Sequence, residues 1–205
     1  MPERVQKGQG TMRAFTFENA TKIYFGGGCV KEHLLEAVKP YGETVMLAYG
    51  GGSIKTNGIY QEVMDVLKLA GKQVIEFSGI MPNPTYSKVM EGKKVVQENQ
   101  VDLILAVGGG SVMDCSKAIS MAAATDKDVW EEYWIKKGEI DFEPVPVGVI
   151  VTVVGTGSEV NGEGVITHEE QKIKTSRNYP RCNPVFAMMD PKYTHTVSPL
   201  QTAAG

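Results

Sequence analysis

Apolar positions along the chain follow two rhythms. Short, mostly apolar runs at 44–48, 102–107 and 145–151 alternate with segments whose apolar residues recur at helical spacing. Val30, Leu34, Leu35 and Val38 share one face of a helix expected over 30–39, stopped by Pro40. Ile59, Val63, Val66, Leu67 and Ala70 do the same for a helix expected over 54–70, with Gly71 as its C-terminal stop. The Pro82-Asn83-Pro84 turn launches a helix over 85–98, and a further helix is predicted over 111–124. Strands are predicted at 21–25 and 73–77, with a weak edge strand at 13–17. The 102–107 run shows no alternation, the pattern of a strand covered on both faces. After residue 160 the rhythm changes to short strands at 165–167, 172–175 and 185–189. Pro199 then opens what reads as the first turn of a helix.

Strands that alternate with helices through short glycine turns imply right-handed βαβ crossovers. The fold class is therefore α/β, a Rossmann-like open, mostly parallel sheet with helices on both faces. The polar, patternless residues 1–11 read as a disordered leader, and the α/β domain as residues 12–195.

Composition narrows the function classes. A chain of 205 residues with 42% hydrophobic content can bury one full core. Its charged fraction of 22% and net charge of -3 offer no concentrated positive surface, so no nucleic-acid partner is expected. No apolar run is long enough to span a membrane. Cys29, Cys115 and Cys182 are far apart and form no CxxC pair, which reads as reduced, buried thiols. Together with the lack of a signal-peptide pattern, this points to a cytoplasmic protein.

Three glycine-rich loops follow three predicted strands: Gly50-Gly51-Gly52-Ser53, Gly108-Gly109-Gly110-Ser111 and Gly155-Thr156-Gly157-Ser158. In an open parallel sheet all three lie at the carboxyl edge, where ligands bind. Glycine lets backbone approach a ligand closely. Ser53 and Ser111 are expected at helix N-caps, where free amides attract anions. Each loop is thus a candidate phosphate cradle. None fits a P-loop, and none gives G-x-G-x-x-G with an acid about 20 residues later. The segment from Ala48 to Lys55 carries no Asp or Glu, whereas Ser53 and Lys55 suit a 2′-phosphate. That favours NADP over NAD, although NAD is also an acceptable ligand.

The string from Val107 to Lys117 resembles the GGGS-x-x-D-x-x-K signature of iron-containing alcohol dehydrogenases. Gly155 to Glu159 is similar to that family's GTGSE segment, Pro82 to Thr85 to its PNPT turn, and Thr21 to Gly26 to its opening strand. Asp190-Pro191 fits as well. The match runs in order from about Met12 to Gly205, and the first loop is most similar to the butanol dehydrogenase-like branch.

The resemblance implies a dehydroquinate synthase-like N-terminal domain and a hydride transfer between nicotinamide and a primary alcohol or aldehyde. It implies that Gly50, Gly51, Gly52, Ser53 and Lys55 face the adenosine ribose. Gly109, Gly110 and Ser111 would hold the pyrophosphate, with Asp114 near the nicotinamide and Asn83 in the turn beside it. Thr152, Val153 and Thr156 would line the adenine and ribose pocket. Lys174, or alternatively Lys172, would reach the nicotinamide ribose. Residues 196–205 would be a linker and the first turn of a helical domain that carries the metal ligands.

Iron or zinc is thus expected for a full-length parent, and no metal or catalytic residue in this chain. His33, His168 and His195 share no ligand spacing. On that reading the chain alone is inactive, and an exposed domain face makes a homo-oligomer plausible. The alternatives are a stand-alone, non-catalytic NADP-binding module, or a glycerol dehydrogenase-like relative that shares the GGGS crevice.

Overall fold

A computed structural model describes residues 18–195, together with Thr16, Val197, Ser198, Leu200 and Ala203. The leader at 1–11 lies outside the described residues. So do Pro199 and, Thr16 apart, the edge strand expected at 13–17.

The chain alternates as expected. Strand β1 (Lys22–Phe25) leads to helix α1 (Cys29–Val38), then to β2 (Thr44–Tyr49). Helices α2 (Ser53–Thr56) and α3 (Ile59–Leu69) precede β3 (Gln73–Phe77). Helix α4 (Tyr86–Glu98) leads to β4 (Leu103–Gly108), and α5 (Gly110–Ala123) leads towards β5 (Val147–Val151). A hairpin of β6 (Glu163–His168) and β7 (Ile173–Asn178) follows, then β8 (Phe186–Met189). The six strands other than the hairpin form one sheet in the order β1-β8-β5-β4-β2-β3, with every pairing parallel.

Alternate side chains of the inner strands feed two apolar layers. Met46, Ala48, Ile104, Ala106, Val147 and Val149 face α4 and α5. Val45, Leu47, Leu103, Leu105, Val107 and Ile150 face α1 and α3. All six residues of β4 are buried, which is why its sequence shows no alternation. Each large apolar side chain so buried stabilises the fold by about 1.5–3 kcal/mol.

Three local expectations are corrected. The helix expected over 54–70 is two helices, because Gly58 takes φ +83° and breaks the backbone between them. A positive φ suits glycine and ends a right-handed helix. Ser53 and Ser111 are not N-caps: Gly52 and Gly109 occupy those positions, so both serines fall inside the first turn. The strand expected at 145–151 begins only at Val147, because Pro146 lacks a ladder donor. By contrast, Thr85 caps α4, its hydroxyl accepting from the Lys88 amide at 3.3 Å.

One element escaped the pattern. A π-helical turn, Trp130–Ile135, buries Trp130, Tyr133 and Trp134 in the α4–α5 layer. Six residues are too short to show a period.

Candidate dinucleotide crevice

The sheet order reverses between β2 and β4. From β2 the chain moves outward to β3 over the α3 face. It then returns to β4, whose following helix covers the opposite face. The loops after β2 and β4 therefore diverge, and a cleft opens between them at the carboxyl edge.

That cleft is about 640 Å³. It is lined by Gly50 and Gly51 of the first loop, Gly109, Gly110 and Ser111 of the second, and Val153 and Thr156 of the third. Asn83, Asp114 and Lys174 complete it, with Ile80, Val112 and Val165 and the two prolines of the turn, Pro82 and Pro84; none of these five was expected to line the site. A second hollow of about 300 Å³ adjoins it through Gly50 and Gly51, and takes in Gly52 and Lys55. Two expected residues stand apart. Ser53 is exposed on α2, and Thr152 is tied by its amide to the Gly108 carbonyl at 3.0 Å; neither lines either hollow.

Glycine is required where the second and third loops meet. A Cβ on Gly109 would lie 3.0 Å from the Val153 Cβ, and one on Gly110 would lie 2.7 Å from the Thr156 Cγ2. The backbone of the second loop packs directly on the Val153 and Thr156 side chains, an approach that glycine permits without displacing them.

Asn83 and Lys174, 91 positions apart in sequence, meet across the cleft: the Lys174 ammonium donates to the Asn83 Oδ1 at 2.5 Å. Lys172 sits instead at the exposed hairpin turn with φ +56°. The hairpin thus delivers Lys174, the lysine first assigned to the nicotinamide ribose.

Asp114 is largely buried. Its Oδ1 accepts from the Ser158 hydroxyl at 2.5 Å and its Oδ2 from the Val165 amide at 3.1 Å. Burial raises its pKa; the Ser158 hydrogen bond and nearby Lys117 oppose that rise. It is a structural junction at the cleft wall.

The first segment is acid-free in sequence, but the fold brings an acid against it. Glu76, on β3, accepts from the Tyr49 hydroxyl at 2.5 Å, the Tyr60 hydroxyl at 2.6 Å and the Lys55 ammonium at 2.9 Å. The Tyr49 and Tyr60 hydrogen bonds, then that of Lys55, hold the Glu76 carboxyl down at about 2. The Lys55 pKa rises in turn, through Tyr49 first and Glu76 second. The Lys55 charge is therefore already balanced. In sequence Glu76 lies 21 positions beyond Lys55, and the pairing of β2 with β3 brings it alongside.

Cys29, Cys115 and Cys182 are free and buried, as their separation had suggested. His33 stacks on Tyr24, and His168 packs against Tyr86 and Trp130. Among the described residues, no group of three or more His, Cys, Asp or Glu could hold a metal ion. Among them, too, no helix is long and apolar enough to cross a membrane.

Comparison with known proteins agrees with this geometry. The chain is 44% identical over 194 residues to a probable NADH-dependent butanol dehydrogenase 1 of Bacillus subtilis, covering 95% of this chain and 49% of that protein. It is 38% identical to the NADPH-dependent aldehyde reductase YqhD of Escherichia coli, covering 95% and 49%. The crystal structure of NADH-dependent butanol dehydrogenase A from Thermotoga maritima superposes with a TM-score of 0.86 at 38% identity, covering 93% and 48%. The chain thus spans about half the length of the relatives it matches. The sequence model of iron-containing alcohol dehydrogenases matches residues 20–191. With its glycine loops converging at the switch point of a parallel sheet, the chain belongs to the iron-containing alcohol dehydrogenase family.

Proposed function

We propose that this chain is the nicotinamide-dinucleotide-binding part of an alcohol dehydrogenase or aldehyde reductase. The observation that carries the reading is the convergence of the three glycine loops, with Asn83 and Lys174, on one cleft of about 640 Å³. A bound nicotinamide dinucleotide supplies or accepts the hydride exchanged with the alcohol or aldehyde carbon. The chain's own residues bind and orient it. Gly109, Gly110 and Ser111, at the start of the fourteen-residue α5, offer first-turn amides and the positive end of the helix to the pyrophosphate. Asn83, Asp114 and Lys174 frame the nicotinamide end, Val153 and Thr156 the adenosine side. The Lewis acid that polarises the substrate oxygen in this family finds no donor group among the described residues. No step of the reaction is assigned to a metal held by this chain, which spans about half the length of the relatives it matches.

NADP was favoured because the first loop carries Lys55 and no acid. The Glu76 carboxylate already balances Lys55 at 2.9 Å, which weakens that argument and supports NAD as a second reading.

Ser111→Asp tests the crevice. It places a carboxylate at the proposed pyrophosphate cradle and should weaken dinucleotide binding by about tenfold or more in a calorimetric titration. Unchanged affinity would reduce the second loop to a turn.

A further inference from the structure

Lys117 is the last residue of the glycine-loop signature, and nothing in the reading above uses it. It lies on α5, one turn beyond Asp114, with its side chain only 1% exposed. Burying an ammonium is costly unless its donors are all satisfied. Here they are. The Nζ donates to the Ser158 carbonyl at 3.0 Å, the Ser158 hydroxyl at 2.7 Å and the Asn161 carbonyl at 3.0 Å. It stands 3.7 Å from the Asp114 Oδ1, to which Ser158 donates in turn.

Ser158 and Asn161 belong to the third loop, which is part of neither sheet. The third loop runs between β5 and β6 and carries two positive-φ glycines, Gly155 and Gly157. It supplies Val153 and Thr156 to the cleft wall. Two of its backbone carbonyls end on one side-chain cation. Asp114 links the same cation to the Val165 amide on β6. A packing role alone would be met by Met at this position, which fills a similar volume without desolvating a charge.

We propose that Lys117 is the positioning residue of the dinucleotide crevice, its buried ammonium tying the third glycine loop, Asp114 and the hairpin into one wall. The proposal rests on the dinucleotide reading of the cleft. It acts through Thr156, Val153 and Asp114 and touches no ligand itself.

The tie titrates. Burial pulls the Lys117 pKa down to about 8. The groups that face it are Asp114 on its own helix, Glu159 and Glu163 from the loop and β6, and Cys182 behind it; Arg177 and Tyr179 line the same small hollow. Cys182 is itself pushed up to about 12 by burial and stays neutral in this window. The folded pKa lies below the ordinary 10.5, so the unfolded chain binds more protons between about 8 and 10.5. Stability contributed by this group therefore rises with pH across that window, while the loop loses a cationic donor. Binding and stability are expected to move in opposite directions.

The test compares the wild-type chain with Lys117→Met by titration with NAD and NADP, by thermal unfolding and by hydrogen exchange of residues 155–165 without ligand. Lys117→Met should keep a cooperative melt near the wild-type temperature. It should lose about tenfold in dinucleotide affinity and exchange faster only in that segment. Wild-type affinity should fall several-fold from about pH 7 to about pH 9, and the variant's should stay flat. Should Lys117→Met fail to fold, Ser158→Ala, which removes the bridging hydroxyl, should give about a threefold loss and a smaller rise in exchange. Wild-type-like affinity with unchanged exchange would overturn the proposal. If the wild-type chain binds neither dinucleotide, the reading of the cleft fails, and the exchange data still decide whether Lys117 holds the loop.

Discussion

Gly110 and Thr156 belong to different glycine loops and touch: a Cβ on Gly110 would lie 2.7 Å from the Thr156 Cγ2. That contact closes one side of the cleft. Gly110→Ala should therefore destabilise the chain by about 1–3 kcal/mol, the cost of overpacking, and lower its Tm by several degrees. Thr156→Ala on that background should recover most of the loss, because the two substitutions share one contact. Thermal denaturation of the single and double variants measures the coupling. Additive effects would mean that the loops do not meet.

Gly58 gives a sign test of the broken helix. In a continuous helix, Gly→Ala would stabilise by about 0.5–1 kcal/mol. At φ +83° the added Cβ meets no neighbour but forces a left-handed conformation. Gly58→Ala should thus destabilise by about 1 kcal/mol, read from urea unfolding.

The Lys55–Glu76 pair gives a test of the proposed choice of dinucleotide. Glu76→Gln should leave Lys55 unbalanced and shift the NADP-to-NAD affinity ratio towards NADP by about fivefold, the size of one exposed ion pair. The same carboxyl has an acid signature. Its pKa drops from 4.5 to about 2 on folding, so its stabilising effect is complete above 4.5 and is lost as pH falls through about 2. The fall in stability between pH 4.5 and 2 should be shallower in Glu76→Gln. An unchanged ratio and an unchanged acid slope would show that the pair is a bystander.

Much of this protein was legible before any coordinates. The β4 run and its neighbours fixed a parallel sheet covered on both faces, because only a doubly buried strand tolerates apolar residues at every position. The glycine loops located the carboxyl edge for an equally local reason: a strand-to-helix turn beside a ligand needs backbone without a Cβ. The spacing of Asp114 and Lys117 likewise put them on one helical face.

What lay outside the sequence was every relationship between segments distant along the chain. Glu76 reaches Tyr49 and Lys55 because β2 and β3 pair in register, and α3 adds Tyr60 from the side. Lys174 reaches Asn83 because the hairpin folds back over the α4 turn, whose Pro84 carbonyl accepts from the Thr167 amide at 2.9 Å. Lys117 finds its acceptors because the third loop runs alongside α5, bringing Ser158 and Asn161 to its middle. Periodicity and turn chemistry are properties of neighbours in sequence, so the sequence determined the elements and the edge at which they bind. Charge balance and loop closure depend on which distant groups are brought within hydrogen-bond reach, and that was decided only by the tertiary packing.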